Sequence, residues 1–244
     1  MMHDVLNRIK RKWMKMRLQP IRVFCFHQVS EQFDSDLHCK PDWMSLSELK
    51  QKVQDLRKAG YVFVSLLDAH RHLKKDWIRC KKYAVLTCDD GLKCQAALIP
   101  WMEEEKIPMT MFITVKNLDG ETCAEQILKY MGITDKEDER RLAQQLYLSG
   151  DELKQTDSSI IEIGMHGYEH IDYAACSCES FRTNVDESIR ALSFHKKYVP
   201  FYAYPFGKYT KQTDDILKGS KIIPVYVDGM KNYNEPNVIH RELL

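Results

Sequence analysis

Short apolar runs alternate with helical patterns along this chain. The runs are rich in Val, Ile, Phe and Tyr, residues that favour strands. They predict eight strands, at Ile21–Phe26, Tyr61–Ser65, Tyr83–Cys88, Met109–Thr114, Ile160–Gly164, Phe201–Tyr204, Ile222–Val227 and Val238–His240. Apolar strands separated by helices are typical of a parallel sheet covered on both faces. We therefore expect an α/β fold, a distorted (β/α)7–8 barrel in a single domain, with its chemistry at the carboxyl ends of the strands.

Two apolar stripes with helical spacing predict core-facing helices between these strands. The stripes run through Leu46, Leu49, Val53 and Leu56, and through Phe181, Val185, Ile189 and Leu192. Ser45 and Glu48 are a candidate capping box for the first helix, and Gly60 is a candidate end. Residues 116–148 form a highly charged, helical insertion after the fourth strand. Two interpretations stay open for it, a lid over the barrel mouth and a solvated pair of surface helices.

Composition narrows the class of protein. The chain has 244 residues, of which 44% are hydrophobic, and this excludes a disordered chain. Its 36 Lys and Arg nearly balance its 35 Asp and Glu, which argues against a nucleic-acid partner. The eight cysteines, with no signal peptide at the start, favour free thiols in a reducing compartment, so we expect a cytoplasmic protein.

The charge is unevenly distributed. Residues 1–22 hold seven basic side chains and one acid, whereas the remainder holds 29 basic and 34 acidic side chains. In a helix over residues 1–20, Val5, Ile9, Trp13 and Met16 would share one face and the basic residues would cover the others. Such a helix suits the anionic inner face of a membrane, with contact through residues 1–18. The alternative is a helix that docks on the bottom of the barrel.

Ionisable side chains follow the predicted strands. Asp89 and Asp90 come directly after the third strand and precede Gly91, so they are either a metal and substrate site or an ordinary polar turn. His166 and His170 follow the fifth strand. They are either two ordinary polar histidines or metal ligands, because their spacing lets both imidazoles share an ion. Two His and one Asp would form a three-ligand divalent metal site with positions open for water and substrate.

Two further strand ends complete the pattern. The sixth predicted strand runs into Tyr204-Pro205-Phe206-Gly207, a turn that can aim a backbone N–H at a reacting oxygen. The first strand ends in His27. Either feature alone is an ordinary strand terminator, but each lies at the same expected end of the barrel as the Asp and His pairs.

Three of these segments, in this order, resemble the first three motifs of the polysaccharide deacetylases, the NodB-homology or carbohydrate esterase family 4 group. The segments are Thr87-Cys88-Asp89-Asp90-Gly91, His166-Gly167-Tyr168-Glu169-His170 and Tyr204-Pro205-Phe206-Gly207. The resemblance extends from about Ile21 to Arg241. The opening strand with His27 is similar to the branch that includes biofilm poly-N-acetylglucosamine deacetylases.

The resemblance implies a metal-dependent hydrolase that removes an acetyl group from an N-acetylated sugar of a polysaccharide or glycan precursor. Asp90, His166 and His170 would then hold a divalent metal, most often Zn²⁺. Asp89 would be the general base, and the backbone N–H of Phe206 would stabilise the oxyanion.

The general acid has two candidates under this resemblance. His27 matches the branch in which a His after the first strand is the acid, whereas His240 resembles the C-terminal acid of other members. Many members carry an Arg where this chain has Ala203, so Arg241 is a candidate to orient the base instead.

Two other functions stay open. One is a non-catalytic carbohydrate-binding relative, against which the retained metal and base positions argue. The other is a metal-dependent amidohydrolase or esterase that acts on a small acylated compound, because the spacing of the site does not encode the acyl acceptor.

Overall fold

Seven parallel strands close into a ring in the computed structural model, which describes residues 18–38, 42–75 and 79–244. The strands within these ranges are β1 (Ile21–Phe26), β2 (Gln28–Ser30), β3 (Trp43–Ser45), β4 (Tyr61–Phe63), β5 (Lys82–Cys88), β6 (Met109–Ile113), β7 (Ile161–Met165), β8 (Tyr198–Ala203), β9 (Ile223–Val227) and β10 (Ile239–Leu243). The order around the ring is β1-β10-β9-β8-β7-β6-β5, and β5 pairs back with β1. β4 pairs with the first half of β5, and β2 and β3 form a separate two-stranded sheet. The predicted distorted barrel is thereby confirmed.

Helices surround the ring. Within the described ranges they are α1 (Leu46–Lys58), α2 (Leu66–Lys75), α3 (Lys93–Ala96), α4 (Ile99–Glu105), α5 (Glu125–Met131), α6 (Lys136–Leu146), α7 (Gly150–Gln155), α8 (Cys178–Leu192) and α9 (Lys211–Gly219). Both predicted apolar stripes form helices, α1 and α8. The hydroxyl of Ser45 caps α1 by accepting a hydrogen bond from the Glu48 amide, at 3.1 Å. Gly60 follows the helix in the left-handed conformation, with φ 84°.

The barrel interior contains a tightly packed apolar cluster. Alternate residues of the strands point inward and form a buried cluster, which includes Val23, Val85, Phe112 and Val225. The ring of Phe112 occupies space beside Gly164 on the neighbouring strand, where a Cβ would meet the ring carbons at 2.6 Å. Only glycine at position 164 therefore lets this ring fill the interior. The ionisable residues lie beyond this cluster, at the carboxyl ends of the strands.

The charged insertion after β6 contains α5 and α6. Its apolar side chains form their own buried cluster with Leu92, a residue of the segment after β5. Leu92 pairs with Tyr147 in a β-bridge, and the Leu148 amide donates to the Gly91 carbonyl at 3.0 Å. The insertion is thus attached to the segment that carries Asp89 and Asp90.

The predicted amphipathic leader and its membrane contact fall outside the described residues, which begin at Leu18. From there the chain enters β1 beside Arg79, whose carbonyl accepts a hydrogen bond from the Gln19 amide at 2.7 Å. None of the described helices combines the length and the apolar character needed to cross a membrane. All cysteines in the described ranges are free.

Candidate active site

Most of the ionisable residues singled out by the sequence converge at the carboxyl end of the barrel. Asp89 and Asp90 follow β5, His166 follows β7, and His27 follows β1. All of these strands run parallel in one ring, so their ends meet at one mouth. The site is therefore a product of barrel closure, which brings together segments that are distant along the chain.

Three of these side chains have the geometry of a metal centre. The Asp90 Oδ1 atom lies 3.5 Å from Nε2 of His166 and 3.4 Å from Nε2 of His170. Two ligand atoms bound about 2.1 Å from one ion at a tetrahedral angle lie about 3.4 Å apart. Asp90 adopts a left-handed backbone with φ 79°, a conformation that Asp tolerates better than most residues. The spacing of the three donors fits a divalent cation.

The surroundings of the Nδ1 atoms of both imidazoles are also compatible with a cation bound at Nε2. Nδ1 of His166 lies 2.8 Å from the Ala203 carbonyl, an acceptor only, so Nδ1 carries the hydrogen and Nε2 presents its lone pair to the site. Nδ1 of His170 lies 2.9 Å from the amide nitrogen Nε2 of Gln126, and a half-turn of that amide would present its oxygen there instead. Burial lowers the pKa of His170 to about 4, which keeps this imidazole neutral near pH 7.

Asp89 lies beside these three residues and is held by Arg241. The guanidinium donates from Nη1 to Oδ1 at 2.7 Å and from Nη2 to Oδ2 at 2.8 Å. Arg241 is fully buried, donates to the Thr87 hydroxyl at 3.1 Å, and lies 5.1 Å from the centre of the Phe112 ring. Burial by itself would raise the pKa of the Asp89 carboxyl. The charge and hydrogen bonds of Arg241, together with the nearby His166 and His27, outweigh it and hold that pKa well below its usual range. The carboxylate is therefore ionised and fixed in direction.

Cys25 and His27 also lie beside Asp89. One possible ligand atom from each of Cys25, His27 and Asp89 lies within 4.8 Å of the other two. Cys25 donates its S–H to Oδ2 of Asp89 at 3.5 Å, and burial raises the pKa of this thiol well above its usual value. A protonated thiol and a carboxylate already held by Arg241 make a poor second cation site.

Phe206 joins the site, whereas His240 does not. Phe206 has a left-handed backbone, with φ 59°, and its ring lies 4.6 Å from that of His170 in an edge-to-face contact. Successive strand residues face opposite sides. Since Arg241 faces the interior, His240 faces outward, where its Nδ1 lies 2.7 Å from Oδ2 of Asp228.

Gln126 and Cys25 are site residues that the sequence reasoning missed. The alternation along β1 could have indicated Cys25, because it shares the inward face with Val23. No sequence pattern indicated Gln126, since only the packing of the insertion brings α5 to His170. The insertion therefore contributes a side chain to the mouth of the barrel.

Comparisons with known proteins define the family. The model of the family described as polysaccharide deacetylase matches residues 78–222. That range is more than half of the chain, and the protein therefore belongs to the polysaccharide deacetylase family. A comparison with curated proteins finds no match.

Solved structures share the whole fold at low sequence identity. The chain is similar to IcaB from Ammonifex degensii, with a TM-score of 0.73, 19% identity, and 93% of each chain covered. It is also similar to the de-N-acetylase from Aggregatibacter actinomycetemcomitans, with a TM-score of 0.72, 17% identity, and 93% of this chain and 95% of that chain covered. The deacetylase PplD from Streptococcus pyogenes, solved with acetate, gives a TM-score of 0.71 at 17% identity, with 93% of each chain covered. These likenesses establish the fold. The assignment to one branch of the family stays a prediction.

Proposed function

We propose that this protein is a metal-dependent hydrolase that removes the acetyl group from an N-acetylated sugar of a polysaccharide or glycan precursor. Membership of the family supports carbohydrate deacetylation. The main support for the metal-dependent chemistry is the convergence of Asp90, His166 and His170 beside a carboxylate, Asp89, that Arg241 holds ionised. Two of the similar structures, PplD and the Aggregatibacter protein, are a deacetylase and a de-N-acetylase, which agrees with this reaction.

Each residue of the site has a task in amide hydrolysis. Asp90, His166 and His170 would hold a divalent cation, with Zn²⁺ as the first candidate for this donor set. When bound, such a cation makes a water molecule more acidic and polarises the amide carbonyl. Asp89 accepts the proton of the attacking water, because its carboxylate is ionised and aimed by Arg241. The backbone N–H of Phe206 is our candidate donor to the oxyanion.

We assign the general acid to His27 rather than His240. An amine leaves only when it is protonated, so the acid has to reach the scissile nitrogen. His27 lies in the group with Asp89 at the barrel mouth. His240 lies on the outer face of β10 against Asp228 and Tyr226.

An acetate-release assay tests the proposed function. The purified protein would be incubated with N-acetylhexosamine oligomers and with lipid-linked or nucleotide-linked N-acetylated sugars, with and without a chelator. We expect acetate release that the chelator abolishes and added Zn²⁺ restores. Asp89→Asn should keep the metal but lose most activity, because only the proton acceptor is removed, whereas His166→Ala should lose both.

Three outcomes would contradict the proposal or part of it. A protein that binds no divalent metal even after loading would favour the non-catalytic carbohydrate binder. Release of acyl groups from small esters or amides alone would favour the other hydrolase. If Asp89→Asn hydrolyses as fast as the parent protein, the assignment of the base is wrong.

A further inference from the structure

The insertion is attached to the candidate metal centre at two points. At one end, the Leu148 amide donates to the carbonyl of Gly91, the residue that follows Asp90. At the other, Gln126 of α5 reaches His170. The insertion therefore contacts the segments of two of the three candidate metal ligands.

The two imidazoles of the site share one pattern of contacts. Each directs Nε2 towards Asp90, and each has a polar partner on Nδ1. For His166 this partner is a strand carbonyl, which can only accept. For His170 it is a side-chain amide, which can present either its oxygen or its nitrogen.

Metal binding by His170 requires the amide oxygen of Gln126, and not its nitrogen, to face Nδ1. If Nε2 of His170 binds a cation, it carries no hydrogen, so the hydrogen of the neutral ring sits on Nδ1. That hydrogen needs an acceptor. The structure places the amide nitrogen Nε2 of Gln126 2.9 Å from Nδ1, so the amide has to turn by half a rotation about its terminal bond for its oxygen to accept the hydrogen. The orientation of the amide follows from the hydrogen-bond network, as it does for any Gln side chain.

We propose that Gln126 is a positioning residue for His170, because its amide oxygen accepts the Nδ1 hydrogen and thereby fixes the tautomer and ring orientation in which Nε2 binds the metal. This inference rests on the proposed metal-dependent function. It gives the charged insertion a specific role. Its helix α5 supplies to His170 the kind of hydrogen-bond acceptor that strand β8 supplies to His166. Partners of this kind typically change metal affinity by about 10–100-fold when they are removed.

Metal affinity measured by competition with a chromophoric chelator tests the inference. Gln126→Leu keeps the approximate size of the side chain but removes the acceptor, so we expect Zn²⁺ affinity to fall by about 10–100-fold. Gln126→Glu retains an acceptor and should restore most of the affinity. Gln144→Leu is the matched control, since it makes the same change on the exposed face of α6 and should leave affinity unchanged. The visible spectrum of the Co²⁺-loaded protein should change in Gln126→Leu alone.

A second measurement needs no variant. Nitrogen-15 correlation spectra of the full chain, recorded before and after Zn²⁺ is added, report the tautomer of His170. We expect the Nδ1–H form in both states. The Nε2–H form before Zn²⁺ is added would show that Gln126 donates rather than accepts, and would overturn the inference.

The remaining outcomes separate this inference from the proposed function. If the parent protein binds Zn²⁺ and Gln126→Leu binds it equally tightly, only the inference fails. If Gln126→Glu binds as weakly as Gln126→Leu, the side chain acts through packing and the hydrogen-bond role is wrong. If the parent protein binds no divalent metal, the proposed function itself fails and takes this inference with it.

Discussion

Arg241 and Asp89 form a buried ion pair whose two hydrogen bonds use both carboxylate oxygens. Burying either charge alone is costly, and removing one partner of such a pair typically destabilises a protein by about 3–5 kcal/mol. The planar guanidinium also sets the direction of the carboxylate, which a lysine ammonium cannot do. At the scale of single residues, the pair therefore contributes to stability and also orients Asp89, the candidate base.

Arg241→Lys should separate these two roles. The positive charge is kept, so we expect a folded protein. The pair of parallel hydrogen bonds is lost, however, and the Asp89 carboxylate becomes free to rotate. A misdirected base costs about 10²-fold in rate, so kcat for acetate release should fall by about that factor. In the Asp89→Asn background the same change should have little further effect, because groups that act as a unit are not additive. Full additivity of the two changes would show that Arg241 does not act through Asp89.

The alternation of side chains along a strand decides which of two neighbouring residues enters the site. In β10, Arg241 faces the interior, so His240 faces the segment that connects β9 to β10. Asn232 in that segment accepts a hydrogen bond from the His240 amide at 2.8 Å and donates to its carbonyl at 2.8 Å. At the scale of elements, His240 belongs to the attachment of this segment to the barrel.

Alanine substitutions at His27 and His240 should therefore affect different properties of the protein. We expect His27→Ala to lower kcat by about 10²-fold or more, the usual contribution of a general acid, with little change in unfolding free energy. His240→Ala should instead lower the unfolding free energy by about 1–3 kcal/mol, because the buried imidazole is removed together with its packing and its hydrogen bond to Asp228. Rates per folded molecule and denaturant unfolding curves distinguish the two. A His240→Ala protein that folds normally but hydrolyses no substrate would reverse the assignment.

Elements were predictable where a pattern was long enough to be recognised. All eight predicted strands are present, with shifted ends at several, and both apolar stripes form helices. β2 and β3 were not predicted, because each has only three residues and neither belongs to a longer apolar run, as the equally short β4 does. Their pairing depends on long-range contact between Gln28–Ser30 and Trp43–Ser45.

Closure of the barrel assembles the site from segments that span most of the chain, from His27 to Arg241. A cation bound between Asp90, His166 and His170 would link the segments after β5 and β7. Because the unfolded chain does not present these donors together, a bound metal stabilises the folded state of the whole molecule.

Metal loading should therefore raise the thermal midpoint. At a free Zn²⁺ concentration of 100 times Kd, the expected gain is about 2.7 kcal/mol. For a chain of this size that corresponds to about 5–10 °C in Tm. A chelator should reverse the gain, and His166→Ala should show none of it. An unchanged Tm in the parent protein under saturating metal would argue against a metal centre at these residues.

The sequence by itself determined the repeating strand and helix order, the parallel barrel that such an order favours, and the motifs that place Asp89, Asp90, His166 and His170 after strands. These are properties of local periodicity and local spacing. Only the tertiary structure decided that Arg241 holds Asp89, that His240 faces away, and that Gln126 of the insertion contacts His170. These contacts join residues that are 44 to 152 positions apart, or depend on which face of a strand points inward, and both are set by barrel closure and register.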